Sequence, residues 1–405
     1  MHIDLNSCFA TVEQQARPLL RDRPVGVTNR NTEYTCVVAA STEAKAQGVK
    51  VGMRFDEARA LVPDLILVES DPPKYHFVYQ TLVNIMKSYS PHITMKSIDE
   101  GIIDFTGTKL VNRRPLTQIG YEIKQRLKDE VGCWMRCNIG IAPNRFLAKT
   151  AAGLHKPDGL DMINAKNLRQ VLAQLQLTDL TGIARHNEAR LNAAGIYTPV
   201  QFLEASADHI QRRVFKSICG EDWYQRLRGW EVDDTEHNIK TVGRQYVLDE
   251  LHPGEELVRS RLAYLCETTA MKLRYKNVCA RGVFVYVRYA SGDLWYERKT
   301  FKSSFFTNTE VIRRATLLFN RRPRDEWPRE IGISCYNLSP SNINQASLLE
   351  EVNKEVWLTE AVDTINAQFG EFTITFATSL QARGSVKQKI PFGTTRYFEL
   401  LCNRA

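Results

Sequence analysis

Three carboxylates set apart along the chain are suited to one shared task. Asp4 closes a short apolar opening, and Asp99 and Glu100 stand side by side in the run Lys96-Ser97-Ile98-Asp99-Glu100-Gly101. Carboxylates brought together repel one another or take up protons. Mg²⁺, commonly held by a few carboxylates plus substrate phosphates, resolves that conflict. In a two-metal site the paired ions clamp the attacking and leaving oxygens of an in-line displacement. In such a site Asp4 and Asp99 would bridge both ions, and Glu100 would complete the coordination of the ion that activates the nucleophile. The chemistry would be phosphoryl or nucleotidyl transfer. The Asp-Glu pair by itself equally suits a solvated hairpin, so its surroundings must decide.

Other residues fit the same chemistry. Lys156, in Leu154-His-Lys156-Pro157-Asp158-Gly159, follows a helical stretch bearing Lys149 and precedes a turn. A lysine there is a point charge for a triphosphate. Thr42 and Lys45 fall at i and i+3 on one short helix and share a face. Both would be placed to reach phosphates, and an ordinary surface position is the alternative. Phe9 stands where the chain leaves the opening strand. An aromatic ring beside a bound sugar excludes a 2′-hydroxyl by contact, although local sequence alone makes Phe9 a core residue.

Elements must bring these residues together. Residues 1–10 read as a strand passing into a turn or helix, with helical pattern from Thr11 toward Leu20 stopped by Arg23-Pro24. Strand-like runs follow at Val25-Gly-Val27 and Thr35–Ala40, then a short helix from Thr42 to Gly48 and another over 54–61. Pro72-Pro73 breaks the chain before a long amphipathic helix over 75–89. Strands at Ile93–Ser97 and Gly101–Phe105 flank the acid pair, which places both acids on a tight turn. Strand neighbours point to opposite faces, so a bend is required for both to reach one ion. A helix over 115–129, a strand over 135–142 and a helix from Asn144 complete a β-α-β-β-α-β-like order. Residues 165–235 read as compact and helical. Within them Leu180-Thr-Gly182-Ile183-Ala184-Arg185 and Gly195-Ile196 resemble a helix-hairpin-helix, whose turn N–H groups hold a DNA phosphate without reading sequence. A second β-α-β-β-α-β order spans about 241–340. A helix over 348–369 and the alternating stretch Phe372–Phe376 follow.

Composition sets limits on these readings. With 405 residues the chain is long enough for several domains, and its net charge of +8 suits a polyanionic partner. No apolar run approaches the roughly 18 residues of a membrane span, and an acid stands where a secretory signal would be basic. The nine cysteines are scattered, and Cys133 and Cys137 have no second pair with which to build a zinc site. Free thiols in a reducing compartment, hence the cytoplasm, are expected. Arg244, Lys299 and Arg329 fall on strands of the second β-α-β-β-α-β unit and are the candidates for DNA phosphate contacts.

Together these residues resemble the Y-family DNA polymerases, the translesion group that includes DNA polymerase IV and UmuC-like enzymes. The resemblance rests on Ile3-Asp4-Leu5-Asn6-Ser7-Cys8-Phe9-Ala10, on Val37 to Gly52 with Ser41-Thr42-Glu-Ala-Lys45, on Ser97-Ile-Asp99-Glu100, and on Asn138 to Lys149 running on to Lys156-Pro157-Asp158-Gly159. It covers about 1–340 in order. It implies an α+β right-hand architecture: palm at 1–8 and 71–163, fingers at 9–70, a helical thumb at 164–238, a β-α-β-β-α-β little finger at 239–341, and a C-terminal extension at 342–405. It also implies two Mg²⁺ ions on Asp4, Asp99 and Glu100 with the Leu5 carbonyl. Phe9 matches the steric gate and Lys156 the triphosphate lysine, with Thr42 and Lys45 on the nucleotide and Gly182 and Ala184 on DNA. The implied partners are primer-template DNA, deoxynucleoside triphosphates and a sliding clamp, for a protein that is otherwise monomeric. The nearest clamp-binding candidate is Gln388-Lys-Ile-Pro-Phe392, where Pro391 and the missing leucine fit poorly and favour a plain tail turn.

Three positions depart from the family pattern. Many members have a second acid where Asn6 stands, Tyr and Arg where Thr42 and Lys45 stand, and Gly-Ile-Gly in place of Gly182-Ile-Ala184. Lysine lacks the planar bidentate phosphate contact of arginine. A rival reading is a catalytically weak or inactive polymerase-like assembly factor in DNA repair. Such relatives lose the acids, and this chain has all three. A cyclase-like palm without DNA partners is a third reading, opposed by the hairpin motif and the basic second unit.

Overall fold

The structure, a computed structural model, describes residues 1–29, 35–110, 113–234, 239–248, 250–341, 350–370 and 372–383. The chain forms two compact units, one within Met1–Thr235 and the other within Glu236–Gln388.

In the first unit β1 (His2–Leu5) leads directly into the helix Cys8–Ala16. That helix starts at Cys8 and not at the expected Thr11, because Ser7 adopts a left-handed φ of 47° and turns the chain at once. A small sheet follows, made of β2 (Val25–Thr28), β3 (Val37–Ala40) and β4 (Ile66–Glu69) in the order β3-β2-β4. Strand β4 has no counterpart in the sequence reading; it pairs parallel to β2 through residues far apart in the chain. The next helix, Pro72–Lys87, begins on the two prolines that sequence read as a break. Proline suits a first turn, where its missing N–H would have no partner in any case.

The main sheet contains β5 (Ile93–Met95), β6 (Glu100–Ile103), β7 (Cys137–Ile141) and β8 (Leu160–Met162) in the order β5-β6-β1-β7-β8. Ile3, Leu5, Ile103 and Ile139 face the helices Pro72–Lys87 and Leu116–Glu130 and share a core with Leu82, Ile85, Ile119 and Ile123. The helix Arg145–Leu154 covers Gly140 so closely that an added Cβ would meet the Ala148 carbonyl oxygen at 1.9 Å. Gly140→Ala must therefore push helix and sheet apart, and it should cost about 3 kcal/mol, the upper end of overpacking penalties. Chemical denaturation checks this value. Helical segments from Leu168 to Leu227, including a π-helical turn at Ile210–Phe215, pack around Leu191, Phe202, Ile210 and Trp223.

The second unit has β9 (Thr241–Val247), β10 (Val278–Tyr289), β11 (Leu294–Phe305) and β12 (Pro328–Pro340) in the antiparallel order β11-β10-β12-β9. The helices Glu255–Tyr275 and Asn308–Phe319 bury one face of this sheet, and the expected β-α-β-β-α-β order is present. The unit continues past 341. Arg274 holds Asp363 of the helix Glu350–Phe369 with two bonds, at 2.6 and 2.8 Å. Glu267, 3% exposed, accepts from Thr375 Oγ1, Phe376 N–H and Ser379 Oγ at 2.7, 3.0 and 2.9 Å. Arg261, 1% exposed, donates to the Ala382 carbonyl at 2.6 Å. The alternating stretch 372–376 joins no sheet, because side chains of Asn366 and Glu267 take its backbone groups. The clamp candidate from Gln388 to Phe392 lies outside the described residues. Among the described residues no helix is long and apolar enough to cross a membrane.

Candidate active site

Register brings two of the three acids together. Antiparallel β1 and β6 place Asp4 directly opposite Glu100, and the Leu5 N–H donates to the Asp99 carbonyl at 2.9 Å. Directly opposed residues on neighbouring strands share a face. Asp99 lies in the bend before β6, so the alternation that would part it from Glu100 does not apply.

Each acid has a local partner. The Lys149 ammonium donates to both Glu100 oxygens, at 2.9 and 2.8 Å. Lys156 pairs with Asp4, and the Ser97 hydroxyl donates to Asp99. Burial opposes ionisation of Glu100, yet the neighbouring Lys149 and His2 hold its carboxyl down at about 2. The His2 ring stands 3.7 Å from Glu100, beyond hydrogen-bond length, so Lys149 is the main partner. Burial pushes the Asp99 carboxyl up, and the nearby Asp4 and Glu100 charges add to the effect. Among the described residues no three His, Cys, Asp or Glu side chains form a ready metal cage. Two lysines occupy the carboxylates instead. The donors are nevertheless hard oxygens, and Asp99 lies near enough to Asp4 and Glu100 for their charges to oppose its ionisation. A divalent cation fits both facts.

A cavity of about 590 Å³ opens at Asp4 and Asp99, lined also by Phe9, Thr42, Lys45 and Lys156 among others. Phe9 is buried on the first helix and stacks on Tyr75 at 4.4 Å between ring centroids. Thr42 begins the helix Thr42–Ala46, and the Lys45 ammonium donates to Ser7 Oγ at 2.8 Å. Burial and the Lys156 charge lower the Lys45 pKa. Sequence reading used Lys149 only as a landmark. Its signal was available: it is the one basic residue in the run Phe146–Leu154.

The remaining candidates lie elsewhere. Gly182 has a φ of 98° and abuts Trp223, and Ala184 caps the helix Arg185–Ala193. Arg244 sits opposite Ile333 and over the Tyr264 ring, and Lys299 sits opposite Val283. Arg329 donates to the Leu248 carbonyl and precedes Glu330, whose side chain lies with Tyr286. All three therefore belong to the sheet side that carries the buried residues Val283, Ile331 and Ile333. The opposite side presents Phe284, Tyr286, Arg288, Tyr296 and Arg298, which strand assignment without register did not single out.

Residues 3–153 match the model of the impB/mucB/samB family, and residues 239–348 match that family's C-terminal domain. The chain is 30% identical over 400 residues to DNA polymerase IV of Pelotomaculum thermopropionicum, covering 95% of this chain and 96% of that one. The chain belongs to the Y-family of DNA polymerases. It is a DNA-directed DNA polymerase of the translesion group. Its likeness to DNA polymerase IV of Moorella thermoacetica is also 30%, over 94% of this chain and 96% of the relative. Among solved structures, a Y-family chimera titled Dbh-Dpo4(243-245)-Dbh superposes with a TM-score of 0.69 at 24% identity, covering 83% of this polymerase and 98% of the chimera. DinB from Sulfolobus solfataricus gives 0.54 at 23% identity, over 83% and 97%. The α+β polymerase fold follows. Family membership implies that the polymerase depends on a divalent metal.

Proposed function

We propose that this polymerase adds deoxynucleotides to a primer 3′-hydroxyl by two-metal nucleotidyl transfer, with Asp4, Asp99, Glu100 and the Leu5 carbonyl holding two Mg²⁺ ions. The register that sets Asp4 opposite Glu100, with Asp4 and Asp99 lining the cavity, carries this reading. The ions supply activation of the attacking hydroxyl and charge stabilisation at the leaving pyrophosphate. The chain's own residues do the rest. Lys149 and Lys156 hold Glu100 and Asp4 here, and would release them where those carboxylates hold the ions. Lys156, Lys45 and Thr42 then bind triphosphate oxygens, and the Phe9 ring stands against the sugar. Palm, fingers, thumb and little finger take the boundaries given above, except that the little finger includes the docked segment through 383.

DNA is gripped through its backbone at Gly182 and Ala184, and by little-finger residues among which Arg244, Lys299 and Arg329 are the weaker candidates on their placement. Such binding falls steeply with salt. A monomer in the cytoplasm that engages a sliding clamp completes the proposal. Primer extension with Mg²⁺ on undamaged and lesion-bearing templates tests it, with the Asp99 variant as control. Lys156→Ala should raise the nucleotide KM about tenfold, the worth of one charge-assisted contact. An unaltered KM counts against the phosphate contact.

A further inference from the structure

We propose that Asn6 and Asn138 are positioning residues for Lys156: a buried relay of two side-chain amides that fixes the turn from which this lysine reaches the nucleotide. The inference rests on the triphosphate role proposed above for Lys156. Asn6 follows β1 and is 7% exposed, and Asn138 lies fully buried on β7, paired with Asp4 in the ladder. Asn6 Nδ2 donates to Asn138 Oδ1 at 2.8 Å, and Asn138 Nδ2 donates to the His155 carbonyl at 3.1 Å. Asn6 Oδ1 accepts from the Asp158 N–H at 2.8 Å. The relay thus grips the chain on both sides of Lys156.

Other contacts close the turn. Lys124, 7% exposed, donates to Asp158 Oδ1 at 2.9 Å. Gly159 has no room for a side chain, since a Cβ would stand 2.3 Å from the His155 carbonyl oxygen and 3.0 Å from Asn138 Nδ2. The lysine and Asp4 are therefore referred to one frame, β1 and β7. A flexible four-carbon stem gains precision only when its backbone is held.

The direction of the relay excludes carboxylates. Each amide uses one donor and one acceptor. Aspartate at position 6, the acid many members of the family carry, would set an oxygen against Asn138 Oδ1. Turning the Asn138 amide to donate would then point its oxygen at the His155 carbonyl. The two asparagines are a matched pair.

Steady-state single-nucleotide incorporation on primer-template DNA with Mg²⁺ tests this with Asn6→Asp, Asn138→Asp, Lys156→Ala and the Asn6→Asp/Lys156→Ala double variant. Asn138→Asp keeps the bond from Asn6 and serves if Asn6→Asp fails to fold. Each asparagine variant should raise the nucleotide KM about tenfold, one buried hydrogen bond's worth. The kcat should stay within about threefold, which separates lost nucleotide binding from lost chemistry. Asn6→Asp should add nothing in the Lys156→Ala background. An unmoved KM, a kcat loss at constant KM, or full additivity with Lys156→Ala would overturn the proposal. A normal KM in Lys156→Ala alone removes the underlying phosphate contact, a result read independently of the asparagine variants.

Discussion

Asp99→Ala and Glu100→Ala are expected to abolish primer extension while DNA binding survives. Each removes a hard oxygen from the place where the pentavalent phosphorus would gather charge. Losing that stabilisation is worth about 4 kcal/mol or more, a rate loss of about a thousandfold at least. Affinity for DNA comes mainly from phosphate contacts spread over the protein, and it should persist. The two substitutions also differ. Asp99 is a buried carboxyl pushed up by burial, with the Asp4 and Glu100 charges adding to the effect, so its removal takes away a costly buried charge and should not destabilise the fold. Removing Glu100 orphans the Lys149 ammonium, which then lacks its partner at 2.8 Å. Gel-based extension and fluorescence anisotropy on labelled primer-template separate the two functions. Full extension by either variant would refute the metal assignment.

Phe9→Ala is expected to admit ribonucleotides, raising the ratio of ribonucleotide to deoxynucleotide incorporation by roughly a hundredfold, the scale on which a pocket rejects a misfitting substrate. The ring lines the cavity that also contains Asp4 and Lys156, and its stacking on Tyr75 keeps it from swinging aside. Tyr75 is itself tied down, because its hydroxyl donates to the buried Glu13 at 2.9 Å. Truncating a buried phenylalanine also costs about 3–5 kcal/mol of stability. The incorporation ratio is independent of the folded fraction, so it remains the right readout. An unchanged ratio would take the gate role from Phe9.

Local pattern made much of this architecture legible. The strands around Asp99-Glu100, the two β-α-β-β-α-β orders and the helix from Asn144 follow from periodicity and caps. Strands β4 and β8 were not legible, because a four-residue and a three-residue run carry little pattern and gain their ladders from distant partners. The acids and Phe9 could be picked out through the family resemblance, since Phe9 alone reads as core. Lys156 could be picked out as well, but that it and Lys149 pair with those acids could not, because an i,i+152 contact such as Lys156 on Asp4 has no local trace. Arg244, Lys299 and Arg329 show the same limit: composition marks a basic strand, but only register tells which side each residue takes.

The Glu267 carboxylate, sealed under the segment 372–383, has a bearing on where this protein can be divided. A chain ended at the close of β12 would strand that charge without its three donors and leave the Arg261 guanidinium without its carbonyl. An uncompensated buried ion costs several kcal/mol. The last helices are thus not an appendage that recombination could freely trade between relatives. They belong with the helix Glu255–Tyr275, whose buried charges they satisfy.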